Sequence, residues 1–439
     1  MPRDPAGGPL RLDARDADFA RDFAAVVDAT RETPEDVDAT VAAIIADVRR
    51  RGDAALIEYT RRFDRFDPMG TGLAITAAEI DAAVAHCADE TLAALDVAAQ
   101  RIEAFHRTQV PADSEYRDAA GVRLGARWTP VEAAGLYVPG GTASYPSSVL
   151  MNALPAKVAG VERLVMVVPT PDGVINPLVL AAARRAGVSE IYRVGGAQAI
   201  AALAYGTATI ARVDKIVGPG NAYVAAAKRR VFGTVGIDTI AGPSEILVIA
   251  DADNDPAWIA ADLLSQAEHD TAAQAILITD DSGFADAVVA AVEGHLRMLP
   301  RQSIAAESWR AHGVVITVAD LADAPALVDR LAPEHLEIAV ADPERLARRI
   351  RHAGAMFLGR WTPEAIGDYV AGPNHVLPTA RTARHASGLG VLDFMKRTSL
   401  VQCDAASFAA IAPAARRLAE AEGLDAHALS LSIRTNRGA

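Results

Sequence analysis

Gln266 and His269 stand three apart in S-Q-A-E-H-D, a spacing that stacks both side chains on one face of a helix. A Gln amide oxygen and a His imidazole placed there make half of a cation site. Asp368 in G-D-Y-V-A-G-P-N-H and His427 in E-G-L-D-A-H would complete it with one anionic oxygen and a second imidazole. Structural zinc sites are mostly closed by thiolates, so an oxygen and nitrogen set of this kind favours an open, substrate-binding metal. Glu334 and His335, adjacent in A-P-E-H-L-E, add an acid/base pair that metal binding does not need. An imidazole titrates near neutrality and suits a general base, and a carboxylate beside it can activate water. Each position also has a plainer reading. An isolated His is commonly a surface or satisfied core residue, and Glu334 could be a solvated charge at a strand end. Spacing alone does not bring the four metal candidates together.

The elements that must position these residues follow from hydrophobic periodicity. Pro34 opens a helix whose Val37, Val41, Ile44, Ile45 and Val48 share one face, with Gly52 at its C-terminal end. A second helix carries Leu56, Tyr59 and Phe63, and the pattern is helical again from about 80 to 108, so the first 125 residues read as mostly helical. Between 130 and 245 short β-branched runs alternate with Ala-rich helices: Leu164–Val168, Glu190–Val194 and Lys215–Val217 read as buried parallel strands. The rhythm resumes with strands at 246–249, 275–278, 314–316 and 336–340, and helices around 256–267, 284–297, 321–331 and 343–352. The expected architecture is α/β, with two Rossmann-like doubly wound units. Its parts are an N-terminal arm over 1–30, a first unit from 31–135 plus 245–388, a second unit over 136–244, and a small C-terminal domain over 389–439 with a helix at 409–421.

A chain of 439 residues exceeds what one core fills, which agrees with several domains. Its net charge of −13 argues against the basic face that nucleic acid or an anionic membrane requires. Cys87 and Cys403 are the only cysteines, too few for a disulfide framework or a thiolate zinc site. M-P-R-D-P-A-G-G at the start has no apolar run behind its charge, and no segment nears the roughly 20 apolar residues of a membrane span. A cytoplasmic protein acting on a small molecule is expected.

Nine blocks, in order, resemble histidinol dehydrogenases: G-L-Y-V-P-G-G at 135–141, Y-P-S-S-V-L-M-N at 145–152, V-G-G-A-Q-A at 194–199, G-P-G-N-A-Y-V at 218–224, A-G-P-S-E at 241–245, L-L-S-Q-A-E-H-D at 263–270, A-P-E-H-L-E at 332–337, G-D-Y-V-A-G-P-N-H-V-L-P-T at 367–379 and E-G-L-D-A-H at 422–427. The resemblance runs from about 130 to 430 and leaves the first 120 residues without a matched motif. It implies an aldehyde-dehydrogenase-like fold and a zinc enzyme, with one Zn2+ per subunit, that takes L-histidinol to L-histidine in two NAD-dependent oxidations through a bound aldehyde. It places the zinc ligands on Gln266, His269, Asp368 and His427, and the acid/base pair on Glu334 and His335. Substrate contacts fall on Ser244, His375 and Glu422 together with His335 and the zinc ligands, and NAD contacts on Tyr137, Gln198 and Asn221. It further implies an intertwined homodimer, in which Glu422 and His427 complete the partner's site.

Without the resemblance, NAD would not be inferred. P-G-G-T at 139–142 and G-P-G-N-A-Y at 218–223 are the nearest Gly-rich segments, and neither completes G-x-G-x-x-G. Competing readings have their own signatures. A zinc hydrolase lacks its H-E-x-x-H helix here, a thiol-dependent aldehyde dehydrogenase would have to use Cys403, and a non-catalytic metal protein would not need Glu334 and His335. A paralogue oxidising another alcohol with the same metal is the nearest alternative. The matching positions Ser244, His375 and Glu422 argue against it.

Overall fold

The computed structural model describes residues 8–29, 35–140, 145–240 and 242–435. Its strands are β1 (Leu10–Asp13), β2 (Ser114–Arg117), β3 (Arg123–Pro130), β4 (Ala133–Tyr137), β5 (Arg163–Val168), β6 (Glu190–Arg193), β7 (Lys215–Val217), β8 (Gly236–Ile237), β9 (Glu245–Ala250), β10 (Gln274–Thr279), β11 (Val314–Thr317), β12 (His335–Ala339), β13 (Ala355–Leu358) and β14 (Met395–Gln402). Two parallel sheets result, one in the order β6-β5-β4-β7-β8 and one in the order β1-β11-β10-β9-β12-β13. Apart from β1, both follow one plan: a central strand, two successive strands outward on one side, then two on the other. This shared order is the strongest sign of duplication in the chain.

Both sheets are covered on both faces, which is why their strands read as continuous apolar runs. Leu164, Met166 and Val168 of β5 pack with the helix Pro146–Ala159, whereas Val165 and Val167 pack with the helix Gly196–Tyr205. The other sheet divides likewise. Val248 and Leu277 face the helices Pro256–Ala267 and Ser282–Leu296, while Leu247, Ile249, Ile276 and Ile278 face Phe23, Val328 and Leu346. Each aliphatic side chain buried in these layers contributes roughly 1.5–3 kcal/mol.

The packing departs from the expected grouping of 31–135 with 245–388. Val37, Val41, Ile44, Ile45, Val48 and Leu56 form one core with β5 and the helix Ala222–Val231 of the five-stranded sheet. Ala98, Ala99 and Ile102 pack on that sheet's other face, and β4 itself lies within it. The amphipathic stripes were legible, but a stripe does not say which sheet it covers. Residue Pro34 lies outside the described residues, and the helix it would open is described from Glu35. The arm is more structured than expected, since β1 adds a strand beside β11. The helix Gln302–His312 and the edge strand β13 were also not anticipated, and the helix at 343 stops at Ala347.

The C-terminal part pairs β14 antiparallel with β3, then ends in two helices, Ala405–Ala421 and Asp425–Thr435, packed on each other. Among the described residues no helix is long and apolar enough to cross a membrane.

One buried histidine is structural and gives a pH-dependent expectation. His106 is fully buried, and its Nδ1 bonds Gln109 Oε1 at 2.9 Å, the same oxygen that accepts the Val391 amide. Burial holds the imidazole below its ordinary value, with Gln109 opposing the shift. The folded state therefore keeps His106 neutral while the unfolded chain takes up a proton at acid pH. Stability falls as pH drops through about 6.5 toward the depressed folded value. His106→Gln is expected to flatten that decline in urea unfolding between about pH 7 and 5. An unchanged slope would assign the decline to other groups.

Candidate active site

The candidate residues sit at the end of β4 in the five-stranded sheet and at the starts of β9 and β12 in the six-stranded one, and Ser148 and Met151 of the helix after β4 contact His375 and Asn374. Ahead of β12 Ala332, in the left-handed region at φ 46°, ends the helix Ala324–Leu331. Pro333 then leads into Glu334 and into His335, the first residue of β12, which lies beside Ile246 and Ala355. The backbone of Glu245, which opens β9, holds both side chains: its N–H donates to Glu334 Oε2 at 2.9 Å, and its carbonyl accepts from His335 Nδ1 at 2.9 Å. Because a carbonyl only accepts, Nδ1 carries a proton, and in the neutral imidazole Nε2 is the atom that offers a lone pair. Glu334 Oε2 lies 3.6 Å from Nδ1, and Glu364 Oε1 lies 3.7 Å from Nε2.

Glu334 is 7 % exposed and not a solvated strand-end charge. Burial pushes its carboxyl up to about 8, against the pull of His335 and the Glu245 amide. Burial also works against the charged form of His335, but the carboxylates of Glu334, Glu364 and Asp368 prevail and raise it above the ordinary value.

Glu364 was not anticipated. It opens the helix Glu364–Tyr369 four residues before Asp368, so one turn carries both carboxylates to the same side. Single ligand atoms of His335, Glu364 and Asp368 all lie within 4.8 Å of one another. Gly367 lets this helix sit close, since a Cβ there would stand 2.4 Å from the Phe357 ring. Burial and the charge of Asp368 push Glu364 up to about 7, against His335, Ser265 and Gln266. For Asp368, burial raises the pKa but is outweighed by His375, His335 and His269, which bring it down to about 2. The E-x-x-x-D spacing in P-E-A-I-G-D was the available signal for Glu364.

Gln266 lies in the last turn of the helix Pro256–Ala267, and His269 follows just beyond its end. The pair is therefore not stacked within one helix as the spacing implied. The His269 N–H still bonds the Gln266 carbonyl at 3.0 Å, so the turn keeps them adjacent. Gln266 is 1 % exposed, and neither atom of its amide finds a partner. His269 stands at the exposed rim, near enough to Asp368 and His335 for both to bias its titration.

His375 links the two units. Its Nδ1 donates to the Asp368 carbonyl at 3.1 Å and lies 3.5 Å from Asp368 Oδ1, while Nε2 lies 3.3 Å from Ser148 Oγ. Ser148 is a buried residue of the helix after β4 and was likewise not anticipated. Ser244 is half-buried, one residue before Glu245.

Tyr137, Gln198 and Asn221 gather at the C-terminal edge of the five-stranded sheet, where the order reverses between β4 and β7. Dinucleotides bind at such switch points in open α/β sheets. Tyr137 ends β4 and its hydroxyl accepts the Gly196 N–H at 3.1 Å. Burial pushes the phenol up to about 12. Gln198 is buried beside Gly196 with an unpartnered Oε1, and Asn221 caps the helix Ala222–Val231.

Glu422 and His427 are not brought to this cluster within one chain. Both are exposed on the C-terminal helical hairpin, and among the described residues no hydrogen bond or ion pair joins either to the site. Of the four expected ligands, Asp368 stands in the cluster with Glu364 and His335, Gln266 is buried, His269 lies at the rim outside that cluster, and His427 is apart.

Residues 28–435 match the family model for histidinol dehydrogenase. The chain belongs to the histidinol dehydrogenase family. It is 69 % identical over 431 residues to the histidinol dehydrogenase of Rhodospirillum rubrum, covering 98 % of this chain and 99 % of that one. It is 66 % identical over 429 residues to that of Rhizobium meliloti, with the same coverage. The crystal structure of histidinol dehydrogenase from Elizabethkingia anophelis superposes with a TM-score of 0.92 at 37 % identity, over 97 % of this chain and 98 % of that one. The likeness includes the first 120 residues, where no motif was matched. Membership makes the chain an oxidoreductase of histidine biosynthesis. Cys403, the candidate thiol of a rival reading, is exposed just beyond β14.

Two observations test the fit of the family's cofactors. Gln266 Oε1 is a buried acceptor without a hydrogen-bond partner, and Asp368 lies beside Glu364 and His335; an amide oxygen and a carboxylate are ligands a divalent cation accepts. Gln198 Oε1 is a buried acceptor left free at the dinucleotide edge. Both fit.

Proposed function

We propose that this chain oxidises L-histidinol to L-histidine through bound L-histidinal, reducing two NAD, with one zinc per subunit, as a cytoplasmic homodimer. The observation that carries this reading is the convergence of unpartnered buried atoms on Gln266, His335 and Glu364 around Asp368. Gln266, His269 and Asp368 would hold the zinc, with His427 supplied by a second copy. Bound zinc would fix the substrate's imidazole and amine and so orient the carbinol carbon. NAD, held by Tyr137, Gln198 and Asn221, supplies the two-electron acceptor for each oxidation.

The chain's own residues carry the protons. His335 Nε2, with Nδ1 committed to the Glu245 carbonyl, takes the hydroxyl proton in the first oxidation. Glu334, held by the Glu245 amide, takes a proton from the water that adds to the aldehyde in the second. Ser244, His375 and Glu422 contact substrate, His375 from its seat between Asp368 and Ser148.

The test is NADH formed per histidinol consumed, with and without chelator. Two equivalents are expected, with the rate falling by about 10²-fold or more on chelation and returning with zinc. One equivalent would favour a related enzyme of another alcohol, and activity indifferent to chelation would remove the metal.

A further inference from the structure

Lys228 and Asp238 form an ion pair inside the five-stranded unit, with side chains 2 % and 4 % exposed. Charges taken so far out of water are costly, and apolar residues of similar size often serve stability as well. What the pair does differently is hold one backbone residue from both sides. Lys228 Nζ donates to the Gly218 carbonyl at 3.0 Å, and the Gly218 N–H donates to Asp238 Oδ2 at 2.7 Å. Gly218 follows β7 with φ 110°, and a Cβ there would lie 2.1 Å from the Tyr137 carbonyl oxygen. The clamp therefore seats the loop against the end of β4. Three residues on, Asn221 caps the helix Ala222–Val231 by accepting the N–H groups of Tyr223 and Val224 at 3.1 and 3.2 Å. That same helix carries Lys228, so the loop is fixed at its start by the ion pair and at its end by the cap. The Asp238 N–H in turn bonds the Ile216 carbonyl at 3.2 Å, which ties the carboxylate to β7.

We propose that the Lys228–Asp238 pair is the positioning element of the dinucleotide-binding loop Gly218–Asn221, holding Asn221 at the crevice between β4 and β7. This rests on the reading that Asn221 contacts NAD. The pair then governs NAD affinity and leaves the metal and the substrate pocket, across the interface, unaffected.

The experiment uses the zinc-loaded, full-length enzyme and calorimetric titration with NAD alone and with histidinol alone, alongside zinc content and KM for each substrate. Lys228→Met is expected to weaken NAD binding by about tenfold or more, with histidinol affinity and zinc content unchanged, and Lys228→Arg to recover part of the loss. A folded Lys228→Met with wild-type NAD affinity, or with both affinities lowered alike, overturns the proposal. If Lys228→Met does not fold, Lys228→Arg and Asp238→Glu decide: both keep the charge and shift the clamp, so unchanged NAD affinity in both overturns it. Wild-type enzyme that binds no NAD would strike the parent reading instead.

Discussion

Glu334→Gln is expected to release close to one equivalent of NADH per active site rapidly and then stall, the second equivalent slowing by about 10²–10⁴-fold. His335→Asn is expected to slow the first equivalent by a similar factor. The two differ because of how Glu245 holds them. The Glu245 carbonyl fixes the Nδ1 proton of His335 and leaves Nε2 facing Glu364, so in the proposed reading this imidazole would be the base of the first oxidation. Glu334 accepts the Glu245 N–H on Oε2, the oxygen nearest His335, and in the proposed reading its carboxylate would take the proton of the attacking water. Stopped-flow absorbance at the NADH band resolves the two phases. Histidinal supplied directly isolates the second oxidation, where Glu334→Gln should be severely impaired. Equal slowing of both phases in Glu334→Gln would show that the carboxylate acts through His335 and not on water.

The strands were legible because parallel strands buried on both faces must be apolar throughout, and Leu164–Val168 and Ile246–Ile249 are so. Which layer a helix joins was not, because the stripe from Val37 to Val48 is equally suited to either sheet. Glu334 and His335 were visible as adjacent residue types, but their placement is set by the Glu245 backbone, which no side-chain pattern records. Glu364 was passed over although it stands one helical turn before Asp368. P-E-A-I-G-D is a short helix without an amphipathic stripe, and only the fold reveals that both carboxylates face His335. Ser148 reaches the site by contact between units distant in sequence, and such contacts leave no local signal. Lys228 and Asp238 are the same case: one charged residue in an Ala-rich helix and another after a two-residue strand look like surface groups until their burial is seen.

Mixing two inactive variants, His335→Asn and His427→Asn, is expected to restore roughly a quarter of wild-type activity after joint unfolding and refolding with zinc. In a dimer whose sites each borrow His427 from the other chain, random pairing makes half of the dimers mixed. One of the two sites in each mixed dimer then has every residue intact. The hairpin is exposed, as the proposed exchange between chains would require. Glu422 and His427 are exposed, and so are Leu418, Leu429 and Ile433, at 64, 61 and 55 %. Such apolar side chains on two packed helices leave a face without a partner in the single chain. Under the proposed reading Gln266, His269 and Asp368 would supply three ligands, one short of the four that the resemblance implies. If the hairpin served its own chain, every site in the mixture would lack one histidine, and refolding would recover nothing above the separate variants. The same comparison with Glu422→Gln in place of His427→Asn tests whether the substrate contact crosses with the metal ligand. Recovery for His427 without recovery for Glu422 would divide the hairpin between the two chains, which their five-position separation across one exposed turn makes untenable for a single rigid segment.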